Sequence, residues 1–559
     1  MARALVRCPP PPEGRHSTHL SVMKNGTAVP ALREVDMSTD NSGGPGREES
    51  AMTARRWKTD KAMMALVALL SVFTVNCGRD KETDKPDVTD NASLRFIHAS
   101  PDVPEVDIYA DDLETPLVSG VKYGDTTNYL PLAASSHVFH FRPAGGGAEL
   151  PPLFSSAAIR LESSKPMNAV ITGLLEEGSL DKSLRILPLV EDFAPSAPGM
   201  IRIRILHAGV DAPTLGIDLD GDGAPEVREF ARFEDSGIAG LELEANKPLS
   251  IALTIDGTPS AAFSLPPQPE ETELLVVVTG LRSIPPRLEK GLMLFVTNEA
   301  GRVGLIQQDP QVYVMNATEL PEELEVFLGE NEQAEAISFG ELSSVIHVRP
   351  GSDTLAFFPS APTSNRPSGA PLLAYPASEL EMGERYLFVV TSRPSSSIEP
   401  APEFRLLTLP ESFAVDEENP RFQFVHAAPS LSAVDVSPLD TQRLMPAELE
   451  INDLAYTQAS APEGLPLPTV EFTLGVRLAD NVSEEPMTEF YIGPGPLTAG
   501  GVFGVLATQN ETQKRLILVN TRESPWTAQV LDPNDSESLS YHEDSSAEQI
   551  RAREQARAR

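Results

Sequence analysis

The chain is nearly without cysteine, short of aromatic rings and of positive charge, and has a single long apolar run. Its 559 residues hold two cysteines, Cys8 and Cys77, and both precede the part that reads as folded. A disulfide framework and a cysteine-type zinc site are therefore excluded there, and the folded part must hold together by burial. Lysine and arginine number 44 against 81 aspartates and glutamates, a formal net charge of -37. Such a surface repels phosphate backbones and anionic headgroups, so nucleic acid is not an expected partner, and a solvated acidic exterior is the plain reading. Aromatics are 6% of the chain, and one of the two tryptophans is Trp57, ahead of the folded part, so a sugar-binding platform has little material. Helical periodicity is confined to the C-terminal tail.

Catalytic signatures are also missing. No G-x-S-x-G elbow, H-E-x-x-H, P-loop or CxxC occurs. The acidic pairs Glu176-Glu177, Glu270-Glu271 and Glu417-Glu418 lie in polar sequence, where adjacent carboxylates read as solvated turns rather than a general acid and base. A non-enzyme is expected.

What is present is repetition. Leu94 to Tyr109, LRFIHASPDVPEVDIY, returns as IRILHAGVDAPTLGID from Ile203, VYVMNATELPEELEVF from Val312 and FQFVHAAPSLSAVDVS from Phe422. His98, His207, Asn316 and His426 close the first strand of each copy, spaced by 109, 109 and 110 residues. That period suits a domain with its own core and is too long for a solenoid coil or a propeller blade. In copy one Leu94, Phe96 and His98 alternate with Arg95 and Ile97, as in a strand. Near the end of each copy an apolar strand closes on Thr172, Thr279, Thr391 or Thr508, and one more strand follows. Runs apolar on both faces read as central strands of a sandwich. The expected fold is all-β: four tandem immunoglobulin-like β-sandwiches of roughly seven strands at 94–193, 200–306, 311–413 and 421–533. They are joined at Ala194 to Gly199, around Gln307 to Pro310, and at Ala414 to Pro420.

Ahead of the repeats, residues 52–77 carry Arg55-Arg56, the apolar run Ala62 to Val75, then Asn76-Cys77-Gly78. A basic stretch followed by an apolar core too short to span a bilayer is the pattern of a secretory signal. With Cys77 where the run stops, the segment resembles a bacterial lipoprotein signal, which implies an acylated Cys77 at the mature N-terminus. Asn76 and Thr74 depart from the small residue and the Leu usual there, so cleavage by the ordinary peptidase and an uncut anchor stay open. Gly78 lacks the Asp that marks inner-membrane retention in lipoproteins of this kind, which points to the outer membrane. Residues 1–51 read as an untranslated or disordered leader, 78–93 as a disordered tether and 534–559 as a disordered tail.

At HASPDVPEVDIYADD, YGDTTNYLPL and FRPAG the first copy resembles the bacterial domain-of-unknown-function family 4397. The resemblance is close in copy one, recognisable in copy four (VHAAPSLSAVDV) and diluted in copies two and three. Copy three departs most, with Asn316 for the His and Thr318-Glu319 for Ser-Pro. It implies extracytoplasmic β-sandwich domains, often in tandem and on lipoproteins, and no accepted activity.

Two groups of residues are candidates for a site. His98, His207, Asn316 and His426 share a face with large apolar side chains beside a turn, where a buried ring or amide would bond to the turn backbone. His137 and His140 look like a chelating pair, but an offset of three in a strand sends them to opposite faces. Asp218, Asp220, Asp222, the Ala224 carbonyl and Glu229 have the spacing D-x-[DN]-x-[DN]-G-x5-E of a Ca²⁺ loop, while the same DGDG also makes a plain acidic hairpin. The expectation is thus an exported, lipid-anchored envelope module for display, spacing or adhesion. Its partners would be the membrane, through the anchor, and an unidentified protein or polysaccharide. A carbohydrate-binding or enzyme-accessory protein is the alternative, and an unrecognised hydrolase a third reading.

Overall fold

The computed structural model describes residues 91–533, apart from 176–178, 221–223, 319–322, 353, 362–364, 394–401, 417–418, 468–469, 494–499, 510–511 and 523. Cys77, the leader, the signal segment, residues 78–90 and the tail 534–559 lie outside the described residues.

Every copy is a two-sheet β-sandwich, and among the described residues the only helical element is the 3-10 turn Ala377–Glu379. The opening strands are Asn91–His98, Met200–His207, Gln311–Asn316 and Arg421–His426. Each pairs in parallel with the late apolar strand of its own copy: Met167–Thr172, Glu273–Thr279, Arg385–Arg393 and Gly501–Gln509. These two strands lie side by side in the first sheet, and a second, four-stranded sheet covers one of its faces. The first copy starts earlier than its apolar pattern suggests. Asn91, Ala92 and Ser93 pair with Ala133, Leu132 and Pro131, because small residues with little hydrophobic signal still supply a full set of backbone bonds.

Alternation then decides what faces where. Leu94, Phe96, Ala169 and Ile171 point into the core of copy one, with Ile108, Phe139 and Phe141 opposite. Ile97, Ala99, Val170 and Leu189 point the other way, and they too are buried. They pack against Leu206, Ala208, Leu275, Val277 and Phe295 of copy two, which face away from that copy's own core. Copies three and four meet in the same manner through Tyr313, Met315, Leu387 and Val389 on one side and Val425, Phe503, Val505 and Ile517 on the other. The repeats therefore form pairs, one with two and three with four, joined face to face by their first sheets. This is why the opening and late strands are apolar on both faces: one face fills the sandwich and the other fills the pair.

The two members of a pair differ. The first sheets of copies two and four have a fifth strand, Gly301–Ile306 and Thr527–Leu531, so among the described residues these copies have nine strands, copy three has eight, and copy one has eight in its two main sheets plus a small extra pair, Ser136–His137 with Ile159–Arg160, against the seven expected. That strand covers a glycine turn of its partner. A Cβ on Gly124 would lie 2.7 Å from Leu305, and one on Gly340 2.8 Å from Val530. Both glycines also have positive φ, +83° and +79°, so a side chain there is opposed by contact and by backbone conformation alike.

The joint between the pairs is polar. Asp309 accepts from Ser264 Oγ at 2.9 Å, its amide donates to the Ala262 carbonyl, and Gln308 Nε2 donates to the Leu292 carbonyl at 3.0 Å. Burial raises the Asp309 pKa to about 6.

Candidate functional site

Each repeat-position side chain is fully buried at the end of its opening strand. His207 Nε2 lies 2.9 Å from the Pro213 carbonyl and His426 Nε2 2.9 Å from the Ser432 carbonyl, six residues on in both cases. The His98 ring lies near the corresponding Pro104 carbonyl, but neither of its ring nitrogens makes a hydrogen bond among the described residues. Asn316 uses its two ends: Nδ2 donates to the Ile337 carbonyl at 2.9 Å and Oδ1 accepts the Thr318 amide at 2.9 Å. His207, Asn316 and His426 hold the turn after the strand, His98 fills the same place by packing, and the four sites are not brought together.

Burial lowers the histidine pKa values, His98 to about 4, with His207 and His426 shifted in the same direction. The sign follows from linkage. The unfolded chain binds a proton at His98 near pH 6.5 and the folded chain only near 4, so the stability contributed by the neutral ring is complete above 6.5 and is lost as pH falls towards 4. Asp309 opposes this, because a raised carboxyl pKa favours the fold at low pH and that stability is lost as pH rises through 6. Replacing His98 by Asn, the residue at this place in copy three, should make the unfolding free energy less dependent on pH between 7 and 4.5. The expected difference from wild type is about 2 kcal/mol. Urea unfolding at the two pH values checks it, and an equal loss in both proteins would contradict the assignment.

His137 and His140 have separate partners. His137 Nδ1 is 2.7 Å from Asp111 Oδ2 and its Nε2 2.9 Å from the Ala133 carbonyl, whereas His140 Nδ1 is 2.7 Å from Ser155 Oγ.

In the acidic hairpin of copy two, the structure brings together Asp218, Asp220 and Glu226, with one ligand oxygen from each within 4.8 Å of the others. Glu229 is outside this group. Ile217 is the register partner of Val227, so the hairpin closes one residue after Glu226 and sets that carboxylate beside Asp218; Glu229 falls in the bulge between Val227 and Phe230, with φ of 52°. Glu226 Oε2 also accepts the Leu219 amide at 2.7 Å. Ala224 is exposed on the hairpin, and Asp222 lies outside the described residues. Three carboxylates of this kind can hold a hard cation, with the rest of the six to eight oxygens Ca²⁺ takes supplied by carbonyls and water.

The threonines that end the late strands have a role that sequence reading missed. Thr279 Oγ1 donates to the Ala99 carbonyl of copy one at 2.7 Å, and Thr172 Oγ1 returns the bond to the Ala208 carbonyl of copy two at 3.2 Å. Thr391 Oγ1 does the same to the Ala427 carbonyl of copy four at 2.8 Å. Each acceptor directly follows the repeat-position His, so at Ala208 and Ala427 the turn is tied to its own copy by the ring and to the partner copy by the threonine. Buried arginines add a second tie. Arg95 reaches the Asn298 carbonyl and, at 3.3 Å, Thr297 Oγ1 of copy two, and Arg204 reaches back to the Val190 carbonyl at 2.7 Å. Reciprocal bonds of this sort are those of a near-twofold interface. The available signal was the Thr at one place in all four copies.

A family model described as a domain of unknown function, DUF4397, matches residues 92–218 and 310–437. No curated protein matches the chain. Both matched stretches begin on the first member of a pair and continue through the first two strands of the second member. Copy three therefore opens a match despite Asn316 and Thr318-Glu319, whereas the motif at the first turn had ranked copy four above it.

Proposed function

We propose that this chain, which belongs to the DUF4397 family, works as an exported, lipid-anchored scaffold of the cell envelope that displays or spaces a binding surface. The observation that carries the reading is the direction of the repeated side chains. His207, Asn316 and His426 bond to turns inside their sandwiches, and Thr172, Thr279 and Thr391 bond to the partner copy, so the shared pattern maintains a stiff pair of sandwiches. Contact with an outside protein or polysaccharide is left to the loops, which differ from copy to copy. A carbohydrate platform has less support, since Trp526 is 4% exposed and stacked on Tyr313 at 4.3 Å. Anchoring rests on Cys77 and the apolar run before it.

The test is intact mass and membrane fractionation of wild type beside Cys77→Ser. The wild type should begin at an acylated Cys77 and sediment with membranes, and the variant should be found in the soluble fraction. Equal distribution of the two proteins would overturn the anchored reading.

A further inference from the structure

Copies two, three and four meet around a cleft of about 660 Å³, a size typical of small-molecule sites, roughly 300–1,000 Å³. Its lining is unlike the rest of this acidic chain. Four guanidinium groups enter it: Arg282 and Arg287 from one loop of copy two, Arg385 from copy three and Arg522 from copy four. Among the described residues three carboxylates also line it, and all three accept hydrogen bonds. Glu411 takes two bonds from Arg385, at 2.6 and 2.8 Å, Asp416 binds Arg421 at 2.9 Å, and Asp211 accepts the backbone amides of Arg282 and Ser283 at 2.7 and 2.8 Å.

Arg282, Arg287 and Arg522 make no hydrogen bond to a carboxylate among the described residues, so three guanidinium charges stand against one lining carboxylate, Asp211, that no arginine pairs. Arg282 donates to the Ser524 carbonyl at 2.9 Å. Arg287 donates to the carbonyls of Glu411 and Phe413 and comes only within 3.9 Å of the Glu411 carboxylate. Arg522 is exposed and its side chain makes no hydrogen bond or ion pair among the described residues. A guanidinium has five N–H donors, and neutral carbonyls use some of them without neutralising the charge. Carbonyl bonds also fix the planes of Arg282 and Arg287, and a fixed guanidinium plane matches the paired oxygens of phosphate or carboxylate.

We propose that this cleft binds a small multivalent anion bearing phosphate or carboxylate groups, held by Arg282, Arg287 and Arg522. The anion would touch both pairs and so link them. This site does not depend on the anchor and stands or falls separately from it.

Isothermal titration of the full chain with pyrophosphate, and separately with citrate, tests the site and distinguishes the two anion chemistries. One-to-one binding of at least one anion is expected. It should weaken at least tenfold in Arg522→Gln and again as salt is raised, while the anion-free urea midpoint of that exposed-site variant stays at the wild-type value. Arg282→Gln, which changes a different repeat, should weaken binding in the same way. Failure of both anions to bind, or equal affinity in wild type and both variants, would overturn the proposal.

Discussion

Copy one made alone, residues 84–197, is expected to be far less stable than the same copy within residues 84–307. Its outer face carries Ile97, Val170 and Leu189, which are buried against Leu206, Leu275, Val277 and Phe295 of copy two. Burying a large apolar side chain contributes about 1.5–3 kcal/mol. Seven such side chains amount to a gross term of about 10–20 kcal/mol, of which the lower end is the fairer figure because a denatured chain is already partly compact. That is comparable to the whole stability of an ordinary domain, about 5–15 kcal/mol. Alone, copy one also leaves the Ala99 carbonyl without Thr279 and Arg95 without Thr297 and Asn298. The expected result is a large drop in urea midpoint for 84–197, while 84–307 unfolds in one transition. Beads joined only by linkers would give the same midpoint in both.

Arg95→Met should cost about 3–5 kcal/mol, the usual effect of removing one partner of a buried ion pair. Arg95 is 1% exposed, bound to Asn168 and to Glu191 at 3.0 Å, and lies over the Tyr129 ring at 4.8 Å. Glu191 is further held by Tyr129 Oη at 2.6 Å and Asn168 Nδ2 at 2.6 Å, so it stays in place without its cation. The double variant Arg95→Met with Glu191→Leu should recover most of the loss, because the uncompensated charge goes with the second change. The protein itself varies this position: Arg204 in copy two binds Asp235 through two bonds at 2.9 Å, and copy three has Tyr313, stacked on Trp526. Guanidinium denaturation of the single and double variants checks this, and a double variant no more stable than the single would contradict it.

The sandwiches were legible because their signals are local. Alternation in Leu94, Phe96 and His98 and the fixed spacing of the repeat are properties of the chain itself, and the structure has one sandwich per copy. Pairing was not legible, because a strand buried by its own second sheet on one face and by another copy on the other reads the same as any central strand. Alternation put Arg95 on the face opposite Leu94 and Phe96, and what buries it there, Thr297 and Asn298 of copy two, lies about 200 residues away in sequence. The Ca²⁺ spacing named Asp218, Asp220 and Glu229, whereas the fold sets Glu226 beside the two aspartates, since a loop motif counts residues and cannot foresee where a hairpin closes. The arginine cleft draws on three copies, and no spacing in the sequence marks it.

Sedimentation equilibrium of 84–197 and 84–307 at the same micromolar concentration tests the pairing most directly. The account predicts a monomer for the two-repeat fragment and dimers or larger species for the single repeat, whose uncovered apolar face seeks a substitute partner. A single repeat that is folded and monomeric, with the urea midpoint of the two-repeat fragment, would contradict it.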